Sequence, residues 1–279
     1  MELNALVKAL DEFCEIGGAE GWDNVGMLVQ PVSLERVSRI LLCVDCTEPV
    51  VREAKRLGAQ LIIAYHPVIF SGWKRITPTS GTKQRVVCLA LESGIAIYCP
   101  HSSLDVKRDG VSDWLAECIA TKDALSKSTV SVLRPHDSCD AISGAVRVVE
   151  VSPGAPALKP ADVADRLRAA VGEGGYVRGA LALDDRDKPI RRIALCVGSG
   201  GDAFSGLRDI DAFITGEMSH HVVLAHVEAG KHVFLSEHTA TERGFFTAVF
   251  RTALSELLAP HGITAVDVSK DEGEILRLL

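Results

Sequence analysis

The chain has 279 residues, a formal net charge of −7, 47% hydrophobic and 24% charged residues. That length allows one large domain or two of ordinary size around a well-buried core. The acidic balance argues against direct nucleic-acid binding, because no basic excess displaces counterions from phosphates, and no run of about 18 apolar residues marks a membrane span.

Residues 1–11 lack the basic start and long apolar stretch of a secretory leader and read as an amphipathic helix. The eight cysteines are scattered, several within apolar runs, as in a reduced cytoplasmic protein that uses thiols for packing. Cys43 and Cys46 have C-x-x-C spacing but no second pair, so a buried-strand role is expected. Residues 39–45 read as a strand, 49–57 as a helix, 60–65 as a strand, 85–92 as a helix stopped at Ser93-Gly94, and 95–99 as a strand. Continuous apolar runs alternating with helices predict a mostly parallel, doubly covered sheet.

A strand over 144–151, a helix begun by Lys159-Pro160-Ala161-Asp162 and a strand over 176–183 follow. The first pattern then returns. Residues 192–198 match 39–45 except at the third and last positions, 210–215 stand where 59–64 stood, and 230–236 correspond to 94–100. The expectation is an α/β protein of two related halves, 1–125 and 126–279, with mostly parallel or mixed sheets from an internal duplication and a metal site in the cleft between them. The joint is expected in the polar stretch near 121–130.

Both copies end in one chemistry: His101 followed four positions later by Asp105, and His238 followed likewise by Glu242. His66 also ends an apolar run, and Pro67 and Pro100 fix how the chain leaves those strands. Ligand-binding residues gather at the carboxyl ends of parallel strands, and mixed imidazole and carboxylate donors suit zinc, iron, manganese, cobalt or nickel. Five donors exceed the tetrahedral demand of one zinc with its water, which points to two ions sharing a carboxylate or a water. Helix capping is the rival: Thr239-Ala240-Thr241-Glu242 precedes the apolar helix 245–258 as a capping box would. Capping explains the acids but not a histidine before each. Glu217 occupies the duplicate position of His66, as a further site residue or a solvated loop acid. Gly198-Ser199-Gly200-Gly201 reads as a tight turn more readily than as a phosphate cradle. His220, His221 and His226 fall on a helix over 218–229 and are expected at the surface or in the core, with His136, His232 and His261 incidental.

At residues 21–26 (Gly21-Trp22-Asp23-Asn24-Val25-Gly26), 65–70 (Tyr65-His66-Pro67-Val68-Ile69-Phe70), 101–105, 215–217 and 237–242 the chain resembles the NIF-three-like family, the dinuclear-metal-centre hexameric proteins also called GTP cyclohydrolase I type 2 homologues. The resemblance covers nearly the whole chain. It implies paired α/β halves, a ring-like homohexamer, and one or two divalent metal ions per chain (zinc, iron or manganese) on His66, His101, Asp105, His238 and Glu242. Tyr65 stands where many bacterial members carry histidine, and Glu237 where they tend to carry glycine, as in the eukaryotic branch; the chain is also too short for the inserted domain of long members. The implied activity is metal-dependent hydrolysis of a nucleotide, of GTP cyclohydrolase type at guanine C8, with Glu217, Glu237 or Tyr65 moving protons. The alternative is a noncatalytic metal-binding interaction protein that co-regulates transcription through protein partners. A metal chaperone or storage ring is a third reading.

Overall fold

The computed structural model describes residues 1–121, 130–133, 144–172, 175–263, 265–273 and 275–276. In chain order the elements are α1 (Leu3–Cys14), β1 (Gly26–Val29), β2 (Arg39–Cys43), α2 (Glu48–Leu57), β3 (Leu61–Ala64), α3 (Thr82–Glu92), β4 (Ala96–Cys99), α4 (Ser102–Val106) and α5 (Val111–Thr121). There follow β5 (Val130–Leu133), β6 (Arg147–Val151), α6 (Pro160–Val171), β7 (Arg178–Ala180), β8 (Arg192–Leu195), β9 (Ala212–Thr215), α7 (His220–Glu228), β10 (His232–Leu235), α8 (Ala240–Phe245), α9 (Arg251–Leu258) and β11 (Ala265–Val268). No described helix is long and apolar enough to cross a membrane.

The chain folds as two compact units. One holds Met1–Lys107 with Phe246–Gly273, and the other holds Arg108–Phe245 with residues 275–276. The expected joint at 125/126 lies outside the described residues, but residues 108–121, assigned from sequence to the first half, belong to the second unit. Residues 246–273, assigned from sequence to the second half, belong instead to the first unit, because β11 pairs in parallel with β2.

The first unit is built on a sheet of order β1-β4-β3-β2-β11, parallel except for β1, which runs antiparallel to β4 at the edge. Strands β3 and β4 are buried at every position, as strands covered on both faces must be. Helix α2 begins with Pro49 in its first turn and ends at Gly58, whose φ of 68° lets the chain turn left-handed out of the helix. Buried Glu53 on α2 then holds the segment after β11, accepting from the Ser269 hydroxyl and from the Lys270 (3.0 Å) and Asp271 (3.1 Å) amides. Glu272 in turn accepts from the amides of Val44 (2.9 Å) and Asp45 (2.6 Å), fixing the exit of β2.

The second unit has a sheet of order β5-β6-β8-β9-β10-β7, with β8, β9 and β10 parallel and the outer strands antiparallel. The stagger of β2 on β3, Ile40 opposite Leu61 through Leu42 opposite Ile63, returns in β8 on β9, Ile193 opposite Ala212 through Leu195 opposite Ile214. Equal stagger at duplicate positions is what two copies of one strand–crossover–strand unit produce. In this unit Arg147 and Asp113 form a fully buried ion pair, and Arg147 also donates to the carbonyls of Gly144 (2.8 Å) and Val146 (3.0 Å).

Removing one member of a buried pair strands the other charge. Asp113→Ala is therefore expected to destabilise the protein by about 3–5 kcal/mol. Glu53→Ala, which removes an acceptor serving one hydroxyl and two amides, is expected to cost roughly 1–3 kcal/mol. The midpoint of urea unfolding checks both, with the larger shift for Asp113→Ala.

Candidate metal centre

Every candidate imidazole lies just beyond the carboxyl end of a parallel strand, while Asp105 and Glu242 lie on the helices that follow, α4 and α8. In the first unit the pairing of β2 and β3 continues past the strands, with Tyr65 N–H donating to Cys43 O and His66 N–H to Val44 O, each at 2.9 Å. That continuation sets Asp45 beside His66, whose Nδ1 lies 3.2 Å from Asp45 Oδ1. His101 leaves β4 with φ 32° and ψ −122°, a backbone conformation that costs a non-glycine residue on the order of 1–3 kcal/mol. Asp23 holds it there. The Asp23 carboxylate, with no exposed surface, meets His101 Nδ1 at 2.8 Å and accepts from Ser102 N–H (3.1 Å) and Ser102 Oγ (2.6 Å). Burial alone raises the Asp23 pKa, but the bonds from His101 and Ser102 outweigh it and hold the carboxyl below its ordinary value. The His66 and His101 rings stand 5.5 Å apart and nearly perpendicular. The buried Tyr65 hydroxyl donates to Asp105 Oδ1.

The second unit repeats the device with other residues. Glu217 N–H donates to Gly198 O (2.9 Å), which fixes the exit of β9 beside that of β8. The Glu217 carboxylate, about half exposed, then meets His238 Nδ1 at 2.9 Å. On the other side of the ring, His238 Nε2 lies 3.5 Å from Oε1 of buried Glu242. The capping box would turn Glu242 back toward Thr239, whereas this oxygen faces the imidazole. Two donors about 2.0–2.2 Å from one first-row ion, at the tetrahedral angle, stand roughly 3.4 Å apart. The His238–Glu242 separation fits that spacing.

Two glycines make room for this pair. A Cβ on Gly198 would lie 2.7 Å from Glu242 Oε1 and 3.0 Å from His238 Nε2, and its φ of 62° favours glycine in any case. A Cβ on Gly216 would stand 2.6 Å from Gly198 O and 2.7 Å from both Glu237 O and His238 Cα. The run 198–201 is thus a close-approach turn; Gly200 N–H donates to Thr215 Oγ1 and Gly198 N–H to Thr241 Oγ1, each at 2.8 Å. Glu237 is buried with φ 68° and pairs with Arg178 at 2.8 Å.

The remaining histidines show what a structural role looks like. His232 is fully buried; its Nδ1 accepts from Ala182 N–H (3.2 Å) and its Nε2 donates to Lys188 O (3.1 Å), so the main chain uses both ring nitrogens. His220 and His221 are exposed at the start of α7. His226 packs against Phe213 with ring centroids 4.2 Å apart. His136 lies outside the described residues. Cys43 and Cys46 are buried and not disulfide-bonded, and burial, reinforced by Cys46, pushes the Cys43 thiol well above its usual value. The sequence reading missed Asp23 and Asp45 as partners of the imidazoles. Asp23 was visible only as part of the motif at 21–26.

His66 in the first unit is a candidate metal-binding residue, and His238 with Glu242 is a candidate metal-binding pair in the second. Fold and donor set define a duplicated α/β protein with carboxylate-held imidazoles at its strand exits. A family model described as Duf34/NIF3 (NGG1p interacting factor 3) matches residues 1–271, and the chain belongs to that family. It is 37% identical over 259 residues to NIF3-like protein 1 of Drosophila melanogaster, covering 91% of this chain and 84% of the relative. It is 32% identical to NGG1-interacting factor 3 of Saccharomyces cerevisiae, covering 91% of each. Its fold matches that of a Bacillus cereus protein related to NIF3, with a TM-score of 0.77 at 16% identity, over 100% of this chain and 99% of the other.

Gly216→Ala is expected to destabilise by about 1–3 kcal/mol through overpacking, read from urea unfolding. Gly198→Ala displaces the His238–Glu242 pair and is expected to weaken metal affinity by roughly 10- to 100-fold in competition with a chromophoric chelator. His232→Gln should leave that affinity unchanged. Burial, helped by Lys231, lowers the His226 pKa. The unfolded histidine takes a proton more readily than the folded one, so this site costs stability as pH falls below about 6.5. In His226→Gln the fall in melting temperature between about pH 7 and pH 5 should be shallower.

Proposed function

We propose that this protein is a metal-dependent hydrolase of GTP cyclohydrolase type, opening the guanine ring at C8. The carrying observation is that His66, His101 and His238 each have Nδ1 engaged by a carboxylate, from Asp45, Asp23 and Glu217 respectively. That is how metalloproteins fix the tautomer and orientation of a ligand imidazole and raise its basicity. His66, His101 and Asp105 in the first unit, and His238 and Glu242 in the second, are the ligands in this reading. The metal complement of this reading is one or two divalent ions per chain, of zinc, iron or manganese. A bound divalent ion supplies Lewis-acid polarisation and a water acidic enough to ionise near neutral pH.

The chain's own acid–base groups then have distinct tasks. Glu217 joins an exposed carboxylate to a ligand imidazole, which suits it to take and return a proton at Oε1 or Oε2. The Tyr65 hydroxyl orients Asp105 through the hydrogen bond that it donates to Oδ1. Glu237, ion-paired with Arg178, sets the backbone that carries His238. A ring-like homohexamer and a cytoplasmic location belong to the same reading. The family resemblance supports the assembly, and the lack of a disulfide among the described residues supports the location.

A second reading rests on the yeast relative, whose name is that of a factor interacting with another protein. In it the metal site is structural and the chain acts through protein partners, without direct nucleic-acid or membrane contact.

Protein purified without chelator is expected to hold between one and two first-row ions per chain and to release formate from GTP. His101→Ala and Glu242→Ala should abolish release, and Glu217→Gln should slow it by roughly 10²- to 10⁴-fold while retaining metal. Metal-loaded wild type that releases no formate would favour the interaction reading.

A further inference from the structure

One feature of the first unit lies outside the ligand set. Trp22 and Phe70 are exposed at 61% and 57%, the two largest exposures among its described aromatic side chains. Their ring centroids are 6.0 Å apart and tilted by 59°. The Trp22 ring also stands edge-on to His101, with centroids 5.9 Å apart. The loops that present these rings are tied down. Asn24 Nδ2 donates to Ile69 O at 2.6 Å, joining the neighbour of one ring to the neighbour of the other. Asp23, next to Trp22, is the residue that holds His101 and Ser102. Two large aromatic faces are therefore kept in water on fixed backbone beside a candidate metal ligand.

Two residues beyond Phe70, the same loop opens a cavity of about 360 Å³ lined by Trp73, Lys74, Arg75, Ser80 and Gln84. Exposed aromatic faces accept a planar ring, and a cationic, hydroxyl-lined cavity accepts phosphate oxygens. We infer that Trp22 and Phe70 form a stacking platform for the base of a purine nucleotide, with Lys74 and Arg75 receiving its phosphates. This deepens the hydrolase reading and rests on it for the location of the chemistry at His101. An apolar protein partner would fill the aromatic faces but has no use for the cationic cavity on the same loop.

The test is calorimetric titration of the zinc-loaded full chain with GTP, ATP, guanosine and ribose 5-phosphate. Trp22→Ala and Phe70→Ala are each expected to weaken GTP and guanosine binding by about 5- to 150-fold at unchanged metal content, with Trp22→Phe retaining most of the affinity. Lys74→Ala should weaken GTP and leave guanosine unchanged. Failure of the wild type to bind GTP, ATP or guanosine overturns the proposal. So do equal affinities in wild type and Trp22→Ala, whatever happens to the oligomeric state. Binding is read without turnover, so the two readings separate. Predicted binding without formate release keeps the platform and rejects the hydrolase, whereas formate release with unchanged binding in Trp22→Ala rejects the platform alone.

Discussion

An imidazole is a directed ligand only when one ring nitrogen is held and the ring cannot turn, and the strand exits of this protein meet that constraint three times. Parallel strands bring their carboxyl ends to one edge of a sheet, and main-chain pairing that runs on past the strands keeps neighbouring exits side by side. His66 and Asp45 are adjacent for that reason, and Glu217 is fixed beside Gly198 in the same way. His101 depends on a longer connection. The 21–26 loop delivers a buried carboxylate to Nδ1 and to Ser102 together, which secures a backbone conformation that a non-glycine residue otherwise avoids.

The two copies of the strand unit divide this work differently. In the first, the exit of β2 carries a carboxylate, Asp45, and the exit of β3 an imidazole, His66. In the second, the matching positions are Gly198 and Glu217. The carboxylate has moved to the middle strand, where it holds His238, and the β8 exit has lost its side chain. A Cβ at Gly198 would occupy the space taken by Glu242 and His238. Duplicate backbones thus carry complementary chemistry, and the glycine is as specific to the second arrangement as the aspartate is to the first.

Much of this was legible in the chain. Apolar runs ending at histidines predicted the parallel strands that the fold shows, with His66, His101 and His238 just beyond them, and the repeated spacing of histidine and acid favoured a site over a helix cap. The partners of the imidazoles were not legible, because they come from remote segments. Asp23 reaches a ring across 78 positions of chain, and no local pattern marks such a contact. β11 was assigned to the wrong unit for a similar reason. A four-residue strand carries no signal for which sheet it joins, and here β2 offers the edge while Glu53 and Glu272 hold the segment that follows. Tyr65 looked like a missing ligand in sequence, but its buried hydroxyl orients Asp105.

The central claim is that carboxylate-held imidazoles, and not thiols, bind the metal. X-ray absorption spectroscopy at the metal edge of the zinc-loaded protein tests it directly. The account predicts nitrogen and oxygen scatterers at about 2.0–2.2 Å, with imidazole outer-shell features that weaken in His101→Ala and His238→Ala. A sulfur scatterer near 2.3 Å, or a spectrum unchanged in both variants, would contradict it.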